Sequence, residues 1–257
     1  MKYVFFGGRE SEFAQIILNG LKNAGQPPMA EIRDAKSLIT LEYLRSLNAD
    51  FFLVAAFAKI LEKEIIGIPK YKTIGIHPSL LPRLRGPSPI QSTILNDEQE
   101  TGTTLFIIDE KIDHGPTLAT NKLQITTKDD NQSLTEKLAE LSVKLALDTI
   151  PKLLAGKIQP QIQDESQATY TKKFDAEDAQ VNLKNDAPKK IWLKIRALNP
   201  EPGVFTILKL KNGKELRLKL LKADFNSEKL QLLTVQPEGK KPMSYKAFLN
   251  GYQNLLS

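Results

Sequence analysis

Not one of the 257 residues is a cysteine, so the chain has no disulfide framework and no thiolate chemistry. Only two histidines are present, His77 and His114. Without thiols beside them they leave too few ligands for a structural zinc site, and no metal is expected. No apolar run approaches the length of a membrane span. The opening stretch MKYVFFGGRESEF has a single short apolar run before its glycines and charges, too short for the core of a signal peptide. A soluble, cytoplasmic protein without membrane attachment is expected. Nucleotide loops are missing too. FFGGRESEF lacks the lysine and spacing of a Walker loop, and nothing after Gly8 completes a dinucleotide fingerprint. With no G-x-S-x-G elbow either, ATP, NAD and serine-hydrolase chemistry are all disfavoured.

Apolar residues make up 41% of the chain, enough for one large core or two smaller ones. The net charge of +6 is unevenly placed. Residues 188–257 carry 14 Lys and Arg against 5 Asp and Glu, whereas residues 1–187 carry 22 against 25. A basic module behind a mildly acidic body points to a polyanionic partner, although a lysine-rich solvated surface gives the same count.

The hydrophobic pattern alternates between strand and helix. YVFF runs into a glycine turn. Ser11 then caps a helix whose face carries Phe13, Ile16, Ile17 and Leu21. Ile39–Leu47 reads as a second helix. DFFLVAAF is a continuous apolar run, as in a strand covered on both faces. KTIGIH and TTLFIID read as strands, and Pro89 opens a helix between them. Residues 131–156 form the longest helical pattern. This alternation predicts an α/β fold with a largely parallel, doubly wound sheet, in which ligands sit beyond the carboxyl ends of the strands. Residues 159–187 are polar and read as a linker with room for one short helix. Beyond it lie a helix, a hairpin turned at Asn212–Gly213, a further strand and a closing helix, together a small β module.

His77 ends a predicted strand in the ligand-binding half of that sheet. The segment after it, PSLLP, is a stiff turn that presents Ser79 and backbone amides between two prolines. Asp113 lies in a second turn bounded by Gly115 and Pro116. A histidine and a carboxylate at neighbouring strand ends can share a proton or hold each other's orientation. A lone strand-end histidine satisfied by its neighbours fits the same pattern.

Four blocks, HPSLLPRLRGPSPIQ, ETGTTLFIIDEKIDHGP, IRALNPEPGVFT and VQPEGKKPMS, together resemble the 10-formyltetrahydrofolate-dependent formyltransferases. The last two are similar to the C-terminal domain carried by the methionyl-tRNA branch of that family. The resemblance implies a Rossmann-like catalytic domain over 1–163, a linker over 164–187, and a reduced, barrel-like (OB-like) basic domain over 188–257 that contacts tRNA. It implies formyl transfer from 10-formyltetrahydrofolate to the α-amine of charged initiator tRNA, in translation initiation, by a monomer. In that reading the amine attacks the formyl carbon, His77 stabilises the tetrahedral oxyanion, and Asp113 positions His77 and assists proton removal. Ser79, Leu80, Leu81 and Pro82 match the segment that contacts tetrahydrofolate, and Phe57 matches a stretch lining the pterin pocket.

The chain departs from the family pattern at Gly75, where an asparagine would donate to the oxyanion. His114 and Gln91 are the candidates to replace that donor. The first half is shortened where the tRNA enzymes have a basic loop, and the C-terminal module is abbreviated. Two other functions follow from these departures. One is a formyltransferase acting on a small amine such as an amino-sugar nucleotide. The other is a catalytically weakened folate- or RNA-binding relative.

Overall fold

The computed structural model describes residues 1–34 and 40–252, in two compact units. The first comprises residues 1–90, 99–127 and 132–171, the second 91–98, 128–131 and 172–257. The division at Thr171–Lys172 falls inside the stretch read as a linker. Ile39, at the start of the second predicted helix, lies outside the described residues.

The first unit is built on a six-stranded sheet in the order β2-β1-β3-β4-β5-β6. Its strands are β1 (Tyr3–Gly7), β2 (Ala30–Ile32), β3 (Phe51–Ala55), β4 (Thr73–His77), β5 (Glu100–Ile107) and β6 (Thr117–Gln124). The first four run parallel, through α1 (Glu12–Asn23), α2 (Leu41–Ser46) and α3 (Lys63–Ile66). All five residues of β1 and all five of β4 are buried, the continuous apolar signature of a sheet covered on both faces. One core cluster joins Val4, Phe6, Ile32, Leu44, Phe52, Leu61 and Ile65, and each large side chain removed from water stabilises the unit by roughly 1.5–3 kcal/mol. Ser11 caps α1 as its sequence predicts, accepting from the Ala14 N–H at 3.3 Å. The helix buries Phe13, Ala14, Ile17, Leu18 and Leu21, while Ile16 is only half-buried.

The sheet departs from a wholly parallel order at its second half. β5 pairs antiparallel with β4, and β6 antiparallel with β5. β5 runs back beside β4 with Thr104 opposite His77, so the connection from residue 78 to 99 stays at the carboxyl end of β4 instead of crossing the sheet. That end is where the histidine sits. α4 (Pro89–Leu95) lies in this connection, and α5 (Asn131–Leu154) follows β6.

The second unit holds α6 (Ala176–Ala179), α7 (Pro188–Leu198) and a four-stranded antiparallel sheet, β10-β9-β8-β7, followed by α8 (Tyr245–Tyr252). The strands are β7 (Phe205–Lys209), β8 (Glu215–Asn226), β9 (Lys229–Pro237) and β10 (Met243–Ser244). Where the sequence suggested a barrel-like module, the described residues form a four-stranded antiparallel sheet. α7 buries Ile191, Trp192, Leu193, Ile195 and Leu198 against β8 and β9, with Trp192 stacked on Phe225 at 5.6 Å. Asn199 ties strand to strand: its Nδ2 donates to Leu220 O at 2.8 Å and its Oδ1 accepts from Val204 N at 3.0 Å.

Candidate active site

His77 ends β4 and is 5% exposed. Its Nε2 lies 2.9 Å from the Leu84 carbonyl. A carbonyl only accepts, so Nε2 carries a proton. That leaves Nδ1 as the corner open to chemistry, and Nδ1 lies 3.5 Å from Asp113 Oδ2. In the cationic ring both nitrogens donate, one to the carbonyl and one toward the carboxylate.

Asp113 reaches His77 by a tight return of the chain. Ile108 N is still bonded to Thr73 O, at the opposite end of β4 from His77. Asp113 then adopts a left-handed conformation, φ 49°, one that an aspartate tolerates better than most side chains. A Cβ at Gly115 would lie 1.8 Å from Ile107 O, so only glycine permits the close approach that closes this loop. The Asp113 carboxylate accepts from the Gly86 N–H at 2.7 Å.

The turn between His77 and Gly86 is pinned on all sides. Thr104 Oγ1 donates to Ser79 O at 2.8 Å and accepts from Leu81 N at 3.3 Å. Ser79 Oγ donates to Arg83 O at 2.6 Å, so this hydroxyl holds the turn itself. Leu80, Leu81 and Pro82 stay half-buried. A Cβ at Gly102 would sit 2.4 Å from Leu80 Cδ2, so that glycine makes the room Leu80 occupies. Phe57 follows β3 and is half-buried, edge-on to Phe6 at 5.6 Å.

Gly75 raised the question of a missing donor, and the structure supplies a steric answer. Gly75 pairs directly with Phe106 across the antiparallel ladder. A Cβ on Gly75 would lie 2.4 and 2.5 Å from two Phe106 ring carbons and 3.1 Å from Ile108 Cγ1. The volume of a side chain at 75 is taken by the aromatic ring. His114 is committed elsewhere. Its Nδ1 is 2.6 Å from Asp109 Oδ2 and its Nε2 is 3.5 Å from Glu165 Oε1, so both ring nitrogens face carboxylates. Gln91 is half-buried.

Several groups at this site were not singled out from the sequence: Leu84, Thr104, Gly86 and Arg85, which fall inside the blocks quoted above and act through a backbone carbonyl, a hydroxyl, an N–H and a guanidinium, and Gln163, which lies outside them behind the Asp113 loop. Gly86 has φ 108° and a Cβ there would lie 2.9 Å from Thr171 O. Gly86→Ala is therefore expected to cost about 1–3 kcal/mol of stability and to pull the N–H off Asp113. Thermal melting and steady-state rates check this, since kcat should fall by more than the unfolded fraction explains.

Comparisons with known proteins identify the family. The Formyl transferase family model matches residues 31–150, and the model for the formyl transferase C-terminal domain matches residues 173–230. The methionyl-tRNA formyltransferase of Dictyoglomus turgidum is 38% identical over 239 residues, spanning 82% of this chain and 74% of the relative. That of Thermodesulfovibrio yellowstonii is 35% identical over 240 residues, 87% of this chain and 77% of the relative. Among solved structures, methionyl-tRNA formyltransferase from Clostridium thermocellum shares the fold with a TM-score of 0.68 at 22% identity, over 95% of this chain and 100% of that one. HypX from Aquifex aeolicus in complex with tetrahydrofolic acid matches with a TM-score of 0.74 at 17% identity, over 98% of this chain and 47% of that one. A sugar N-formyltransferase from a Shewanella species gives 0.62 at 18% identity, over 84% of this chain and 95% of that one.

Proposed function

The chain belongs to the formyl transferase family, and from that premise we infer how its residues divide the work of formyl transfer to methionyl-tRNA. The single observation that carries the assignment of roles is the His77–Asp113 pair at the carboxyl end of β4, with Nδ1 the one ring nitrogen not spent on the backbone. The half-buried apolar surface of Phe57, Leu80, Leu81 and Pro82 suits a flat heterocycle, so these residues would hold the folate. When bound, 10-formyltetrahydrofolate supplies the acyl carbon that the methionyl amine attacks.

His77 is held by Leu84 O through Nε2, and in the cationic ring its Nδ1–H donates to the oxygen that becomes anionic. Asp113 balances the cationic ring and accepts the proton that the amine sheds, and that proton passes to the folate nitrogen as its bond to the formyl carbon breaks and tetrahydrofolate leaves. The placement of Asp113 itself comes from the Gly86 N–H and the left-handed turn. Phe106 fills the space beside Gly75, so the site relies on His77 for what a side-chain amide would otherwise add. Burial of the pair strengthens both roles, because charge interactions weaken less there than in water.

The basic second unit is assigned to the tRNA backbone. Lys211, Lys214, Lys240 and Lys241 are exposed around the strand ends of its sheet. Changing all four to glutamine should weaken binding of charged tRNA and lower the slope of log affinity against log salt by about 0.7–0.9 for each phosphate no longer neutralised. The KM for the folate should not move. A salt slope identical to wild type would remove these lysines from the interface. A side-by-side assay of methionyl-tRNA and an amino-sugar nucleotide as acceptors tests the substrate class. Preference for the sugar would favour the small-amine reading, to which the shared fold with a sugar N-formyltransferase gives a specific motive.

A further inference from the structure

Arg85 is fully buried, an expensive place for a guanidinium unless every donor is used. Here they are used on one group of partners. Nε and Nη2 donate to Gln163 Oε1 at 3.1 and 2.8 Å. Nη1 and Nη2 form a fork onto Glu165 at 3.1 and 2.6 Å, and Nη1 also donates to Tyr170 Oη at 3.2 Å. The Glu165 bond raises the arginine's pKa, and the same bond lowers that of Glu165, so both stay charged.

The fork fixes Gln163 in one sense. Its oxygen faces the guanidinium, so its NH₂ must face the other way. That NH₂ donates to Asp113 O at 2.9 Å and to Gly115 O at 2.7 Å. Asp113 is therefore held twice from adjacent residues: its carboxylate by Gly86 N, and its carbonyl by Arg85 acting through Gln163. The main chain at Arg85 is itself locked to the segment beyond α5, with Arg85 N donating to Thr169 O at 2.9 Å and Thr171 N to Arg85 O at 2.7 Å. The result is a closed circuit of bonds from Arg85 through Gln163 to Asp113 and back through Gly86. A buried cation with this wiring does more than fill space, because an apolar side chain of similar volume would pack there without the desolvation cost.

We propose that Arg85 and Gln163 are positioning residues that set the left-handed turn at Asp113, and with it the distance between Asp113 and His77. The inference rests on the formyl-transfer reading for its kinetic consequence, but its geometric content can be read without turnover. The chain has two histidines, so ring signals of His77 can be resolved by NMR and separated from those of His114.

The test uses the full chain with Gln163→Leu, which keeps bulk and removes both donors. A displacement of the carboxylate by about 1 Å is expected to lower kcat about 10²-fold. The KM for the folate should stay within about twofold, since this variant leaves Leu80, Leu81 and Pro82 in place. The His77 ring signals of the folded variant should move. Should this variant fail to fold, Gln163→Asn withdraws the same amide by one methylene and carries the same expectations. A folded variant with wild-type kcat and unshifted His77 signals overturns the proposal. So does a loss of activity that only tracks the unfolded fraction, because that is all a structural role gives. If wild type itself transfers no formyl group, the functional premise fails, while the His77 signals still decide whether Gln163 positions the pair.

Discussion

His77→Ala and Asp113→Ala are each expected to lower the formylation rate by about 10²–10⁴ while the protein stays folded. His77 lies against the Leu84 carbonyl and Asp113, and its removal takes away the donor proposed for the reacting oxygen. Asp113→Asn is the sharper variant. It keeps an oxygen for the Gly86 N–H and keeps its backbone bond from Gln163, so only the charge is removed. A fall in kcat with an unchanged melting temperature assigns the effect to that charge. Near-normal turnover in any of the three would remove the residue concerned from the chemistry.

The second large effect concerns Gly75. If an amide were simply missing there, Gly75→Asn would restore an oxyanion donor and raise the rate. The Phe106 ring makes the single substitution unfavourable, because a Cβ meets ring carbons at 2.4 and 2.5 Å in a sheet whose backbone cannot easily give. Gly75→Asn alone should therefore cost about 1–3 kcal/mol of stability and give no gain in rate. Combined with Phe106→Ala, which vacates the ring's space, the asparagine should recover stability relative to either single variant and raise kcat by as much as about 10²–10³ over Phe106→Ala. Steady-state rates and melting curves for the four proteins of the cycle decide it. A rate gain from Gly75→Asn in the wild-type background would mean that Phe106 yields freely and that the ring is no obstacle.

Much of the catalytic unit was legible in the sequence because its signals are local. A five-residue apolar run needs no partner to be read as a buried strand, and Ser11 announces its helix by the cap it makes. The histidine at a strand end and the aspartate in a turn bounded by Gly115 and Pro116 were visible for the same reason. β6 was not, because it buries little beyond Leu118 and its alternation is polar on both sides. The second hairpin of the basic unit was also hidden. Its turn is Ser227–Glu228, with φ of 48° and 62°, and neither residue is the glycine or asparagine that usually marks such a turn. Residues 161–171 looked like a linker because they are polar. They bond to Thr117, Asp113, Gly115 and Arg85, and such partners lie about forty to ninety positions away in sequence. Phe106 opposite Gly75 is the same kind of fact, since only the register of two antiparallel strands brings the ring over the glycine.

The account turns on one reaction, and the most direct measurement is the mass of the amino acid released from methionyl-tRNA after incubation with the protein and 10-formyltetrahydrofolate. The predicted product is methionine carrying a formyl group in place of one amine hydrogen, formed by wild type and nearly absent with Asp113→Asn. Unmodified methionine from wild type, under conditions where the folate is bound, would contradict the central claim.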